Sequence, residues 1–161
     1  MTYIRTCLAL AATLLLALSC ESEVREANIN QNKYISDYVQ KHFADYEIVR
    51  YEGVVRVVMP DSLPHATAIE AGDSVYLYFE GYTFGESGPT SCFISDSAFV
   101  RVGKGDLITG LDRGLIGARM GQENLILFPA QLGYGTSAVG MVPENTALLF
   151  DVFPASIKKN K

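Results

Sequence analysis

Cysteine and histidine, side chains suited to nucleophilic catalysis and zinc binding, are sparse in this chain and fall in no recognisable pattern. The 161 residues include only three cysteines and two histidines. A nucleophilic thiol needs a base beside it, and His42 and His65 lie in segments with no Cys/His signature, so Cys92 reads as a packed or partly exposed thiol. The same two histidines, far apart and without cysteine pairs or an H-E-x-x-H helix, imply no metal site. Gly103-Lys104-Gly105 resembles part of a phosphate loop, but the G-x-x-x-x-G-K-[ST] spacing and the dinucleotide fingerprint are both missing. No cofactor is implied. What remains is the stretch 102–152, where glycines, one isolated helical segment and a ring of apolar residues describe a sheet half-wrapped around an apolar cleft. That is a binding pocket without a catalytic nucleophile.

Composition bounds what surrounds the cleft. A chain of 161 residues with 48% hydrophobic content can bury the core of one globular domain and leaves no room for a second of ordinary size. The formal net charge of −5 disfavours phosphate backbones, so nucleic acid is not expected as a partner. Residues 1–19 stand apart, because Arg5 precedes an apolar run from Cys7 to Leu18 that is short for a bilayer span and laid out as a signal peptide. The run ends in Leu16-Ala17-Leu18-Ser19-Cys20, which resembles a lipobox, where the cysteine is diacylated and becomes the new N-terminus. The alternative is an ordinary cleaved signal with a chance cysteine; the polar, acidic Glu21-Ser22-Glu23 that follows at once favours the lipid. Acyl chains contribute about 0.8 kcal/mol per buried methylene, so lipid on Cys20 would hold the protein on a membrane without a transmembrane helix. With Cys7 lost in the signal and Cys20 taken by lipid, Cys92 has no disulfide partner.

Residues 20–45 read as an acidic tether and a short amphipathic helix, the helix running over 32–46 with Tyr34, Ile35, Tyr38, Val39 and Phe43 on one stripe. The stripe packs on the domain or, alternatively, forms a dimer face. Two β-branched runs, 47–51 and 54–58, flank Glu52-Gly53 as a hairpin, and 60–71 is a proline-containing connector. Val75, Leu77 and Phe79 then alternate with Tyr76, Tyr78 and Glu80, giving a strand with one apolar and one aromatic face. Residues 85–89 break it, and 98–102 form another short strand. Ile108, Leu111, Leu115, Ile116 and Ala118 make the apolar side of a helix stopped by Gly121; Gly114 and Gly117 weaken it, so packing against the sheet must hold it. Residues 124–128 and 147–153 read as buried strands joined by a glycine-rich loop containing Gly133, Tyr134, Gly135, Gly140 and Pro143. One helix across a twisted antiparallel sheet is an α+β arrangement, occupying 46–158.

The succession of short motifs is more specific than any one of them. G-D-x-V (Gly72 to Val75), Y-F-E-G (Tyr78 to Gly81), V-G-K-G-D-L-I-T-G-L (Val102 to Leu111), M-G-Q (Met120 to Gln122), L-G-Y-G (Leu132 to Gly135) and V-P-E-N-T-A-L-L-F-D-V (Val142 to Val152) follow one another as in FKBP-type peptidyl-prolyl cis-trans isomerases. The resemblance covers 69–157, and the leader with Cys20 is similar to that of exported bacterial lipoprotein members. It implies an FKBP-like twisted antiparallel half-barrel sheet wrapped on one short helix, here preceded by a short N-terminal helix. It also implies proline-containing polypeptides as clients and, with the anchor, the cell envelope as location, at the periplasmic face or the cell surface. Rotation about a prolyl bond needs no proton transfer or covalent intermediate, only loss of amide resonance across a barrier of about 20 kcal/mol. A twisted amide has less charge separation than a planar one, so a dry apolar pocket that grips the twisted form best lowers that barrier.

By this resemblance Leu111 is the pocket floor, where many members carry tryptophan. Ile108 offers its backbone N–H to the peptide, Tyr134 reaches the substrate with its hydroxyl, and Phe150 completes the catalytic set. Phe79, Phe93, Leu107 and Val142 are the substrate-binding wall. The alternative for each is a packing role alone. Phe79 replaces the usual tyrosine, and the family's F-D-S-S segment falls on Phe93-Ile94-Ser95, without its aspartate unless Asp96 supplies it. Losing both members of a hydrogen-bonded pair leaves neither unsatisfied, so stability can survive where turnover falls. Ala98 and Val100 stand where aromatics are common, with Phe99 able to turn inward at a bulge. Two functions remain open: a membrane-tethered prolyl isomerase of reduced activity that assists folding, and a non-catalytic FKBP-like peptide-binding module or chaperone.

Overall fold

A computed structural model describes residues 22–23, 25–60 and 66–160. The expected signal peptide, Cys20 and His65 lie outside the described residues. Six strands, β1 (Glu47–Tyr51), β2 (Val54–Val58), β3 (Ser74–Gly85), β4 (Gly88–Arg101), β5 (Asn124–Phe128) and β6 (Ala147–Lys158), form one open sheet in the order β1-β2-β5-β6-β3-β4. Every neighbouring pair is antiparallel. Two helices pack on this sheet, α1 over residues 25–42 and α2 over Thr109–Leu115.

Strand periodicity divides the apolar side chains between two faces. On the inner face Val75, Leu77, Val152, Phe150, Leu148, Ile126 and Phe128 are buried with Leu111 and Leu115 of α2. On the outer face Val55, Val57, Phe84, Leu127, Ala147 and Leu149 are buried with Ile35 and Val39 of α1. The amphipathic stripe of α1 therefore packs on its own domain. The helix begins well before residue 32, so no tether of loose chain occupies 25–31, and it ends at His42 with Phe43 N–H closing on Val39 O at 2.9 Å. Within this early part Gln31 is buried, its side-chain amide bonded to Ala130 and Asn145 of the loop between β5 and β6.

The 47–58 hairpin forms as expected, with Glu52 at φ 45° and Gly53 at φ 83°. Positive φ at both turn residues matches the twist of the flanking strands, and glycine takes the second without strain. Element boundaries and one side-chain orientation depart from the sequence reading. α2 ends at Leu115, because Gly117 adopts φ 78° and turns the chain away, so Gly121 stops nothing. β4 runs unbroken from Gly88, so the segment before Ala98 is strand throughout. Pro89 is tolerated there because β4 is an edge strand whose outward N–H groups need no partner. Phe99 does not turn inward; it pairs opposite Tyr76 and is 62% exposed.

α1 leaves part of the outer face uncovered, where Glu80 and Asp151 sit opposite each other on β3 and β6. Burial, the charges of Glu123 and Glu80, and a hydrogen bond with Glu123 push the Asp151 carboxyl up to about 6. A carboxyl whose folded value lies above its unfolded one favours folding while protonated, and that contribution disappears as pH rises from about 4 through about 6. Asp151→Asn is therefore expected to leave the melting temperature unchanged at pH 4 and to raise it above pH 6.5. The gain is on the order of 1 kcal/mol once solvent screening at this partly exposed site is allowed for. Parallel thermal melts at the two pH values check it, and an equal shift at both would contradict the assignment.

Candidate active site

The site is built by seating α2 on the inner face. Two of its glycines, Gly110 and Gly114, face β5 so closely that a Cβ would come within 2.3 Å of Phe128 and of Ile126, respectively. Only a bare backbone lets the helix lie this near the sheet. Its C-terminal end is held by Arg56 of β2, which is 6% exposed and donates from Nη1 to the carbonyls of Gly114 at 2.8 Å and Ile116 at 2.7 Å. Burial lowers the affinity of that guanidinium for its proton, and the carbonyl dipoles at the helix end answer the charge. The buried Asp112 accepts the Gly103 N–H at 2.7 Å and the Gly105 N–H at 3.3 Å. The Gly103-Lys104-Gly105 loop thus encloses a carboxylate of its own chain, the place a phosphate would need.

With α2 fixed, Ile108 stands at its N-cap with φ −59° and ψ 146°, and no backbone carbonyl among the described residues accepts its N–H. Leu107 and Ile108 are partly buried against the inner cluster, while Leu111 is 2% exposed. From the opposite side comes the loop between β5 and β6. It begins with a 3-10 turn at Ala130–Leu132 and carries Tyr134, partly buried, and Val142, 2% exposed, onto the same cluster. Burial pushes the Tyr134 phenol up, so its hydroxyl stays protonated and able to donate around neutral pH.

The third wall comes from β3 and β4, and a β-bulge shapes it. Gly81 pairs with Ile94 and Tyr82 with Cys92, which leaves Phe93 as the extra residue on β4. A bulge turns successive side chains toward one face. Phe93 and Ile94 both lie against Gly81, where a Cβ would come within 2.8 Å of either and of Phe150. The aromatic rings then form a connected set. Phe128 stacks on Phe150 with centroids 5.9 Å apart, Phe150 meets Phe93 edge-on at 5.7 Å and Phe79 at 6.3 Å, and Phe93 meets Tyr134 edge-on at 6.3 Å. Edge-to-face pairs of this kind contribute about 0.5–1.5 kcal/mol each beyond their buried area.

All eight residues singled out from the sequence, Tyr134, Ile108, Leu111, Phe150, Phe79, Phe93, Leu107 and Val142, belong to this one cluster. Leu111, Val142 and Phe150 are buried at its base, and the other five reach the surface around them. Asp96 does not join: it is exposed, and its Oδ1 accepts the N–H of Ser97 at 2.7 Å. Ile94 takes the inward position instead. Phe128 is the contributor the sequence reading missed, since a buried strand shows which residues are apolar but not which ring stacks on which.

Residues 65–153, more than half of the chain, match the family described as FKBP-type peptidyl-prolyl cis-trans isomerase. The chain belongs to that family. The FKBP-type region is 36% identical over 101 residues to mouse peptidyl-prolyl cis-trans isomerase FKBP9, covering 62% of this chain and 17% of that protein. It is 44% identical over 59 residues to FK506-binding protein 4 of Chaetomium thermophilum, covering 37% and 12%. The chain spans less than a fifth of the length of these relatives. Among solved structures the FKBP-type fold is similar to FkpA from Escherichia coli, with a TM-score of 0.60 at 22% identity over 92% of this chain and 68% of that one. It is also similar to the three FKBP domains of wheat FKBP73, with a TM-score of 0.61 at 19% identity over 71% and 50%. At these identities the two structures bear on the fold alone, and α1 falls outside the matched family region.

Proposed function

We propose that this protein is a peptidyl-prolyl cis-trans isomerase acting on proline-containing polypeptides in the cell envelope, where lipid on Cys20 holds it to the membrane and it assists protein folding. The observation that carries the reading is the convergence of Tyr134, Phe93, Phe79, Leu107 and Ile108 over a floor of Leu111, Val142 and Phe150. A prolyl ring set on that floor places its imide among aromatic and aliphatic groups. There the twisted, less charge-separated amide is favoured over either planar isomer. The Ile108 N–H and the Tyr134 hydroxyl are the donors that would hold the flanking carbonyls. Among the described residues no helix is long and apolar enough to cross a membrane, which is compatible with a lipid anchor. Incorporation of labelled fatty acid that is lost in Cys20→Ser tests that part.

The isomerase reading is tested on the full chain in detergent with proline peptides varied at the preceding residue. Acceleration above the uncatalysed rate is expected, falling roughly tenfold in kcat/KM in Tyr134→Phe and further in Leu111→Ala. Absence of acceleration across the whole peptide set rejects catalysis. A second reading, a non-catalytic peptide-binding module or chaperone, is favoured by Ile94 standing where the family's aspartate would fall while Asp96 faces solvent. It predicts an inactive parent that still binds the peptides and loses binding in the same two variants.

A further inference from the structure

Gln31 lies on α1, outside the matched family region, yet its side chain is buried, with 5% of its surface exposed. Its amide joins both feet of the β5–β6 loop. Oε1 accepts the Ala130 N–H at 2.7 Å, and Nε2 donates to the Asn145 carbonyl at 2.7 Å. Inside the loop, Gly133 N–H and Gly135 N–H both donate to Ala130 O, at 2.9 and 2.8 Å, and Asn145 N–H donates to Gly135 O at 2.8 Å. The bonds close a circuit from Gln31 through Ala130, Gly135 and Asn145 back to Gln31, and Tyr134 lies between Gly135 and Gly133, both tied to the Ala130 carbonyl. The mount is rigid, because Ile35, one turn along α1, is 1% exposed and Val39 is fully buried against the sheet. Ordering a glutamine side chain is entropically unfavourable, and two short hydrogen bonds offset it, one of them to an Ala130 N–H that would otherwise be buried unpaired.

We propose that Gln31 is a positioning residue: through the loop feet and Gly135 it sets where Tyr134 stands over the Leu111 floor, so that α1 completes the site and does not merely cover the outer face. The proposal rests on the isomerase reading of that site. Small displacements of a substrate-contacting group are costly in rate, whereas a purely structural role would lower stability and leave the chemistry of the folded fraction unchanged.

The test is a double-mutant cycle in the full chain. Gln31→Leu is expected to lower kcat/KM roughly tenfold, mainly through kcat, and the loss should shrink to within about twofold when Tyr134 is already Phe. Gln31→Glu keeps the acceptor for Ala130 but sets a carboxylate oxygen against the Asn145 carbonyl. It should fall on the same side as Gln31→Leu and serves in its place if the leucine variant does not fold. Equal losses with Tyr134 and with Phe at that position would overturn the proposal, as would unchanged kcat in the folded variants. Amide exchange by NMR separates the proposal from the reading beneath it. Faster exchange at Ala130, Gly135 and Asn145 in Gln31→Leu is expected whether or not the parent catalyses, and unchanged exchange there overturns the positioning claim on its own. An inactive parent with faster exchange at those amides rejects catalysis while Gln31 still sets the loop.

Discussion

Gly110→Ala is expected to lower the unfolding free energy by about 2 kcal/mol, although alanine is the better helix former by about 1 kcal/mol. The added methyl would sit 2.3 Å from two atoms of the Phe128 ring and 2.6 Å from a third, and overpacking of this kind typically destabilises by about 1–3 kcal/mol. The ring cannot swing aside as a flexible chain end would. Phe128 is fully buried and lies flat on Phe150, 5.9 Å away at an interplanar angle of 9°. Either α2 lifts off β5, which displaces Leu111 and Ile108, or Phe128 shifts into Phe150 and on toward Phe93. Both routes reach the site, so under the proposed isomerase function kcat/KM on proline peptides is expected to fall in the folded variant as well. Urea titration measures the first effect, and Gly85→Ala is the control, because a Cβ there meets nothing within 4 Å. Equal midpoints for the two variants would show that α2 has room the packing does not suggest.

Arg56→Met is expected to lower stability by about 3 kcal/mol. Hydrogen bonds from a charged donor contribute roughly 1.5–3 kcal/mol each, and Arg56 makes two, to the Gly114 and Ile116 carbonyls where α2 ends. Methionine fills the space, yet leaves a buried Gly114 carbonyl and a partly buried Ile116 carbonyl beside a thioether that cannot donate. Relief of guanidinium desolvation offsets part of the loss, since burial already lowers that group's pKa. Arg56→Lys should recover less than half, because both bonds leave the single Nη1 at the tip of the guanidinium, and a lysine ammonium ends about one bond short of that point. Chemical denaturation of the three proteins orders them Arg, Lys, Met; a lysine variant as stable as the parent would mean that charge alone holds the helix.

Where local rules and tertiary packing agree, the chain is readable from its residues. Glu52-Gly53 between β-branched runs makes the hairpin it signals, and the Val75, Leu77, Phe79 alternation faces the core as its period requires. The eight site residues, picked out by the order of the motifs, meet in one cluster on the inner face. The misreadings share a cause. β4 has no continuous apolar period before Ala98, because as an edge strand it is exposed along most of its outer side, and its sheet partner alone defines it. The bulge at Phe93 is a register event between two strands, which neither strand encodes by itself. The first turns of α1 carry Arg25, Glu26 and Asn28, which look like solvated leader until Gln31 finds Ala130 and Asn145 across the fold.

The early start of α1 also limits how far the domain can roam. If lipid rides on Cys20 as proposed, only residues 21–24 separate it from helical residue 25, a leash of about 18 Å even when fully stretched. A protein held so short scans a thin layer above the headgroups, so its clients would be chains emerging at the bilayer surface rather than polypeptides diffusing through the compartment beyond.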